Sequence, residues 1–468
     1  MLFFFSTSIF AQEESKDYSE ATHLIEVWFD AQIDYDNLPG ITASIVSDQE
    51  LIWAGAYGMA NIDENIKAEV KTLCSICSIS KLFTSVAIME LYDEGKLRLD
   101  DKINDVLPWY DLEQQYSDSG PITIRSLLSH SSGLPRENTF SHWSGPNYSF
   151  PNKAQIQAKL STQKTLYPSS TYYQYSNLAF TLLGYVVEEV SGESFEDYIE
   201  KNILSQLELQ NTSPTMPVSL HGTDLAVGYS VLSRNGTRKK MNSFQANGVA
   251  AAAGFSSNVE DLAKFASWQF RLRDSKLTEI LKPSSLKNMH NVHWTDPNWG
   301  ATRGLGFGVW KGSDGNKWVG HDGYCPGYQT VLQLNLKNKL AYSVMINANG
   351  VDLNKYVNGM HTLINKVKPF KKDATKEKNL EQYIGYYEWD MSNESYVSPW
   401  QGNLAIIELP TDSPSNSMRI FKHIDGDNFR SIRDDGSLGE ALEFERNNKG
   451  EIYRYKLFNN WLYVKVER

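Results

Sequence analysis

Apolar residues at helical spacing, Leu24, Val27, Trp28 and Ala31, predict a helix over about 18–34. Leu38-Pro39-Gly40 ends it. The pattern then shortens. ITASIVS (41–47), an Asp48-Gln49 turn and ELIWAGAYG (50–58) predict a β-hairpin. Helical spacing returns from about Ile79 to Glu94 and stops at Gly95. Residues 101–170 are rich in loops and broken by Pro108, Pro121, Pro135, Pro146, Pro151 and Pro168. A second helix is predicted over about 178–190, ended by Gly192. Ser257-Asn258-Val259-Glu260 has the form of a capping box and opens a third helix running to about Phe270. QTVLQLNL and LAYSVMIN, around a Lys337-Asn338-Lys339 turn, predict two strands, and a helix near 351–367 closes the unit. Strands at both ends with helices between them predict an α/β (α+β) fold: one antiparallel sheet flanked by helices, with a helical insert.

Residues 18–367 are thus expected as one domain. KPFKKDATKEKNL (368–380) is charged and poor in apolar residues, as a linker should be. From 381 to 468 short aromatic or β-branched runs alternate with turn signals such as Asp425-Gly426 and Lys449-Gly450. They predict a small all-β, barrel-like domain. Residues 1–17 form a leader. Its apolar run Leu2–Ala11 precedes an acidic stretch and has the form of a secretory signal cleaved after Ala11, without the usual basic start. Export to the periplasm or medium is the expectation; a plain apolar tail is the alternative. The run is too short to span a membrane.

Composition narrows the function. At 41% hydrophobic and 22% charged, the 468 residues can build a large core. A net charge of -11 repels phosphate backbones and argues against a nucleic-acid partner. The three cysteines, Cys74, Cys77 and Cys325, are too few for a disulfide framework. An extended C-x-x-C would hold the Cα atoms of Cys74 and Cys77 about 10 Å apart, beyond the roughly 7 Å a disulfide tolerates. Both are expected as small buried thiols. No metal-ligand cluster, phosphate-cradling glycine loop or Gly-x-Ser-x-Gly elbow is present, so no cofactor is expected.

Three Ser-x-x-Lys tetrads occur: Ser78/Lys81, Ser161/Lys164 and Ser284/Lys287. Only Ser78 stands at a predicted strand-to-helix junction. Residues i and i+3 share a helix face, so Lys81 can reach the Ser78 hydroxyl. The helix start offers free N–H groups to developing negative charge, and a desolvated lysine can accept a proton. The alternative is an N-capping serine beside a surface lysine. Tyr175-Ser176-Asn177 ends a loop and opens an apolar helix. A phenol there can serve as base only beside cations, and the Asn177 amide can bond a substrate carbonyl or orient Lys81. Gly320-His321-Asp322-Gly323 puts His321 on or beside an edge strand, with glycines that let a substrate approach. A core tyrosine and an exposed turn histidine are the corresponding alternatives.

The order Ser-x-x-Lys, Tyr-x-Asn, His-x-Gly resembles the serine β-lactamase-related family: class C β-lactamases, D-alanyl-D-alanine carboxypeptidases, D-aminopeptidases and related esterases. ITIRSLLSHSSGLP (122–135), YSNLAFTLLGYVVEEVSGESFEDYI (175–199), AAGFSSNVEDLAKF (252–265), GLGFGVW and GHDGYCPGYQT extend the likeness over roughly residues 20–365. The final domain resembles the lipocalin-like barrel appended to some members. The resemblance implies Ser78 as nucleophile, Lys81 as its activator, Tyr175 as proton relay, and His321 where lactamases carry the lysine of Lys-Thr-Gly. It implies Asn177, Gly323 and Tyr324 as substrate-binding positions, with the N–H groups of Ser78 and Tyr324 as oxyanion donors. His130 is expected to brace a loop. Cys77 and Cys325 neighbour implied site residues, and the aromatics Trp143, Tyr148, Tyr172 and Tyr173 either line the cleft or pack it. The implied activity is hydrolysis of an amide or ester, on a D-amino-acid peptide or an ester. Because histidine replaces a charged lysine, β-lactam turnover should be weak or absent. The implied partner is a small molecule or peptide, and an oligomer is compatible with the sequence. A non-catalytic scaffold or peptide-binding protein is the alternative.

Overall fold

The computed structural model describes residues 16–369 and 379–468, apart from the Ser392 side chain. Residues 1–15 of the leader and most of the expected 368–380 linker lie outside the described residues. The chain forms two compact units, Gln32–Val357 and the described parts of Met1–Ala31 with Asn358–Arg468. Both boundaries fall inside helices, Ser19–Tyr35 and Leu353–Lys366.

In the first unit the hairpin forms as β1 (Gly40–Ser47) and β2 (Glu50–Asn61), followed by β3 (Ile66–Lys67). Two short strands, β4 (Cys74–Ser75) and β5 (Ser256–Ser257), pair apart from the main sheet. Then come β6 (Trp294–Thr295), β7 (Thr302–Arg303), β8 (Gly308–Lys311), β9 (Lys317–Cys325), β10 (Tyr328–Asn335) and β11 (Leu340–Ile346). The sheet is antiparallel in the order β3-β2-β1-β11-β10-β9-β8-β7-β6. β1 and β11, far apart in sequence, pair at its centre from Ile41↔Ile346 to Ser47↔Leu340. Their side chains are almost all buried, as expected of strands covered on both faces.

Helix Val259–Asp274 packs on β1 and β11. Its N-cap is Asn258, which accepts from Asp261 N. The cap therefore lies one residue later than the Ser257/Glu260 box expected, because the Ser257 backbone is engaged in β5. The helix also runs on to Asp274, past the expected Phe270. Helix Ser80–Asp93 is buried nearly all round and packs against helix Asn177–Ser191 and the Ala250–Ala253 turn. An all-round apolar surface marks a helix inside a core. Gly192 ends the Asn177–Ser191 helix with φ 75°, a left-handed position that glycine takes without strain.

In the second unit eight strands close into a barrel in sequence order. They are β12 (Gly385–Trp389), β13 (Ser392–Trp400), β14 (Asn403–Leu409), β15 (Arg419–Asp425), β16 (Asn428–Ile432), β17 (Leu438–Arg446), β18 (Ile452–Leu457) and β19 (Trp461–Val466). Closure leaves no unpaired edge. The core is filled by Tyr387, Phe421, Phe429, Phe444 and Tyr455. No described helix is long and apolar enough to cross a membrane.

Candidate active site

The strand preceding Ser78 is short but firmly tied. Ile76 N donates to Phe255 O (2.9 Å), and Thr330 Oγ1 donates to Ile76 O (3.1 Å). Cys77 then takes φ 48°, a left-handed value unusual for a residue with a β-carbon. That turn starts the one-turn Cys77–Ile79 helix, which runs straight into Ser80–Asp93. Ser80 Oγ locks the junction, donating to Cys77 O (2.5 Å) and accepting from Phe255 N (3.1 Å). Ser78 is left partly exposed at the tip.

One turn on, Lys81 is fully buried. Its ammonium nitrogen lies 3.0 Å from Ser78 Oγ, 2.8 Å from Asn177 Oδ1 and 2.7 Å from Ala252 O. Burial pulls its pKa down to about 7, against an opposing pull from the Glu137 carboxylate. A buried amine poised near neutrality can take a proton from the adjacent hydroxyl.

Tyr175 is aimed by a fold-back of residues 130–137 onto the start of the next helix. Ser176 N donates to His130 Nδ1 (3.1 Å), Ser176 Oγ to Pro135 O (2.6 Å), and Asn177 N to Arg136 O (2.8 Å). The His130 ring stacks on Tyr175 with centroids 4.3 Å apart. Burial holds His130 well below the usual histidine range, so the ring is neutral and its role is bracing. Lys81 Nζ and the Arg136 guanidinium sit 5.0 and 4.8 Å from the Tyr175 ring centre. Burial nonetheless pushes the phenol up, with a hydrogen bond to Ser78 as the main opposing influence. Tyr175 therefore rests as a phenol, while the neighbouring Lys81 is poised near neutrality.

His321 lies on β9 just past its last pairing with β8, Gly308↔Gly320. From His321 to Cys325 the strand pairs with β10 alone among the described strands, so the expected edge position is met locally. The His321 ring centre is 6.1 Å from that of Tyr175. Burial drops its pKa to about 4, and Nδ1 sits 2.6 Å from Asp322 O. At neutral pH the ring carries no charge. Gly323 packs directly on the turn before Ser78; a β-carbon there would collide with Ile76 O and Thr330 Oγ1. Tyr324 follows and is 59% exposed. A cleft of about 400 Å³ runs past Tyr175, His321, Asp322, Arg303, Trp310 and Gln333.

Asn177 is buried and both ends of its amide are engaged. Nδ2 donates to Glu137 Oε1 (2.5 Å) while Oδ1 accepts from Lys81. Of the two roles considered for it, the geometry shows the one that orients Lys81. Glu137 was not foreseen. Its second oxygen is buried without a hydrogen bond, 3.4 Å from the buried His142 Nε2. The cysteine expectation needs correcting. Cys74 is a buried thiol, pushed up to about 12, but Cys77 is disulfide-bonded to Cys325, Cα to Cα 5.7 Å. Contact at Gly323 brings the two segments together across 248 residues. The other tetrads stay apart from this site: Lys164 pairs with Glu113 (3.1 Å), and Ser284 lies in helix Pro283–Met289. Among the insert aromatics, Tyr173 receives Arg303 at 2.7 and 3.0 Å. Trp143 and Tyr148 pack with Phe244, and Tyr172 is exposed.

The family model described as Beta-lactamase matches residues 26–360. The chain belongs to the beta-lactamase family. This is a family of serine hydrolases. Protein flp of Staphylococcus aureus (strain COL) is 24% identical over 352 residues, 74% of this chain and 67% of that one. Among solved structures, the octameric penicillin-binding protein homologue from Pyrococcus abyssi superposes with a TM-score of 0.65 at 23% identity. It covers 95% of this chain and 100% of its own. A D-stereospecific amidohydrolase from Streptomyces sp. gives 0.60 at 24% identity, covering 74% and 98%. Both share the beta-lactamase-like fold, and the first matches over nearly the whole chain.

Proposed function

We propose that this protein is an exported serine hydrolase that cleaves an amide or ester bond through an acyl-Ser78 intermediate. One observation carries the reading: the buried Lys81, near neutrality, lies 3.0 Å from Ser78 Oγ. Neutral Lys81 takes the Ser78 proton as Oγ attacks the carbonyl carbon. The carbonyl π-electrons move to oxygen, where the N–H groups of Ser78 and Tyr324 are the proposed donors. Such a donor typically contributes about 3 kcal/mol to the transition state. As the tetrahedral species collapses, the leaving group departs with a proton delivered through the Tyr175 hydroxyl from Lys81. Water then attacks the acyl carbon and gives a proton through Tyr175 to Lys81, and Lys81 returns a proton to Ser78 Oγ as the acyl–oxygen bond breaks and the acid product leaves.

A D-amino-acid peptide is the favoured substrate class, with esters second. A D-stereospecific amidohydrolase and a penicillin-binding protein homologue share the fold, and that supports the peptide side. The uncharged His321 supports weak or absent β-lactam hydrolysis, because a neutral imidazole grips a carboxylate poorly. Export is supported by the signal-like leader and agrees with a Cys77–Cys325 disulfide, which persists in oxidising compartments. An oligomer is supported by the octameric homologue.

The test is intact-mass spectrometry after incubation with a fluorophosphonate, followed by peptide mapping. A single adduct on Ser78, absent in Ser78→Ala, is expected. Absence of any adduct on folded protein would replace this reading with the scaffold one.

A further inference from the structure

The disulfide joins the residue immediately before Ser78 to the residue immediately after Tyr324. We propose that the Cys77–Cys325 cross-link is a positioning device for the reaction, holding the nucleophile and the oxyanion-hole strand in register. The inference rests on the serine hydrolase reading above.

Three observations converge on it. The turn presenting Ser78 depends on Cys77 at φ 48°. A left-handed conformation is disfavoured for any residue with a β-carbon and persists only where the surroundings enforce it. The strand carrying Tyr324 is not held from its outer side: β8 pairs β9 no further than Gly320 among the described strands. On its inner side β9 pairs with β10 as far as Cys325↔Tyr328, the last pair before the Pro326-Gly327 turn. Both features sit at the ends of otherwise secure elements, and the cross-link ties one to the other. Both sulfur-bearing residues are buried, so the bond is shielded in the folded protein. Other contacts across this junction include Thr330 Oγ1 to Ile76 O, Cys325 Sγ 3.3 Å from Ser75 Oγ, and the packing of Gly323 on Cys77. Those anchor Ile76, two residues before Ser78, and Gly323, one residue before Tyr324.

Loss of the bond therefore leaves the fold but frees Cys77 to relax toward ordinary backbone angles, moving Ser78 relative to Tyr324. Reduction is a two-electron step. A dithiol gives two electrons and two protons to the Cys77–Cys325 bond, yields two thiols, and closes to its own cyclic disulfide. Oxyanion donors and nucleophile act only in the transition state, so the effect falls on kcat rather than KM.

The experiment compares wild type, Cys325→Ser, Cys77→Ser/Cys325→Ser and Cys74→Ala. Each is assayed for fluorophosphonate labelling rate and for kcat and KM on a p-nitrophenyl ester. Circular dichroism establishes that each is folded at the assay temperature. Wild-type protein is also treated with dithiothreitol, with the extent of reduction read by mass after alkylation. A displacement near 1 Å at a reacting group typically costs about 100-fold. The expected result is a fall in kcat of about 10- to 100-fold, with KM within about 2-fold, in both cross-link variants and in reduced wild type. Reoxidation should restore the wild-type rate, and Cys74→Ala should match untreated protein. A folded, reduced or cross-link-free protein with unchanged kcat would overturn the positioning role while leaving the hydrolase reading intact. Failure of oxidised wild type to label would instead remove the hydrolase reading itself. If the variants do not fold, reduced wild type decides the matter, and an unlinked Cys77 in the purified protein would overturn the inference outright.

Discussion

Glu137 Oε1 accepts a 2.5 Å hydrogen bond from Asn177 Nδ2, and through that amide it holds Lys81, because Asn177 Oδ1 in turn accepts from Lys81. The carboxylate acts in two ways. It fixes which way the amide points, and it raises the affinity of Lys81 for its proton. The groups facing Lys81 are Ser78, Tyr175, Asn177 and the Ala252 carbonyl, with Arg136 and Asp322 as further charges.

The sign of the effect follows. Lys81 must be neutral to accept the Ser78 proton, so labelling should rise with pH through about 7. His321, near 4, is already uncharged there and does not set this limb. Glu137→Gln keeps an acceptor for Asn177 but removes the negative charge. It should move the acid limb to lower pH, by about half a unit or more. Glu137→Ala also loses the hydrogen bond and should slow labelling by about 10-fold. The pH profile of fluorophosphonate labelling measures both. A limb that stays in place in Glu137→Gln would mean that Lys81 does not feel this carboxylate.

Glu137 also marks where the sequence stops being informative. Ser78 and Tyr175 were legible because each stands where a local pattern changes, a strand or loop giving way to a run of apolar residues at helical spacing. The hairpin, the paired strands β10 and β11 and the glycine stops at Gly95 and Gly192 were legible for the same reason. Glu137 meets Asn177 across 40 residues only because the segment after His130 folds back, and no periodicity encodes that. The disulfide is the clearer case. Spacing arguments excluded Cys74–Cys77 and had no purchase on a partner 248 residues away. The cap at Asn258 rather than Ser257 shows the ordinary end-point error, since both residues can cap and only the pairing of β5 chooses between them.

His321 offers a test of specificity. It lines the cleft beside Tyr175 and Arg303 as an uncharged ring. His321→Lys would place a cation at the position where the resemblance puts the lysine of Lys-Thr-Gly. Acylation of Ser78 by benzylpenicillin, whose carboxylate needs a cationic partner, should then rise by about 10-fold, the gain of a modest charge-assisted contact. A neutral p-nitrophenyl ester should gain nothing. Stopped-flow or mass-based acylation rates on the two substrates separate the outcomes. Equal changes on both would mean that position 321 does not face the substrate carboxylate.

Lys81 should also leave its mark on stability. In the unfolded chain its pKa lies near the ordinary lysine value of 10.5, and in the folded protein burial holds it at about 7. Between these values the unfolded state binds the extra proton, so stability contributed by this group rises with pH from about 7 to about 10.5 and is flat below. The limiting slope is one proton. Buried tyrosines, whose pKa values are raised by burial, act in the opposite sense at the top of this range. The clean observable is therefore a difference. Lys81→Met keeps the volume of the side chain and removes the charge. Relative to this variant, wild type should be least stable at about pH 6–7 and should close the gap as pH approaches about 10. Denaturant unfolding of both proteins at several pH values measures it. Lys81→Met should be inactive throughout, and in the lower range it should be the more stable protein, because the site keeps an amine in its core for chemistry rather than for packing. Parallel pH profiles for the two proteins would mean that Lys81 keeps its ordinary pKa when folded, and the near-neutral base at the centre of the proposed mechanism would be lost with it.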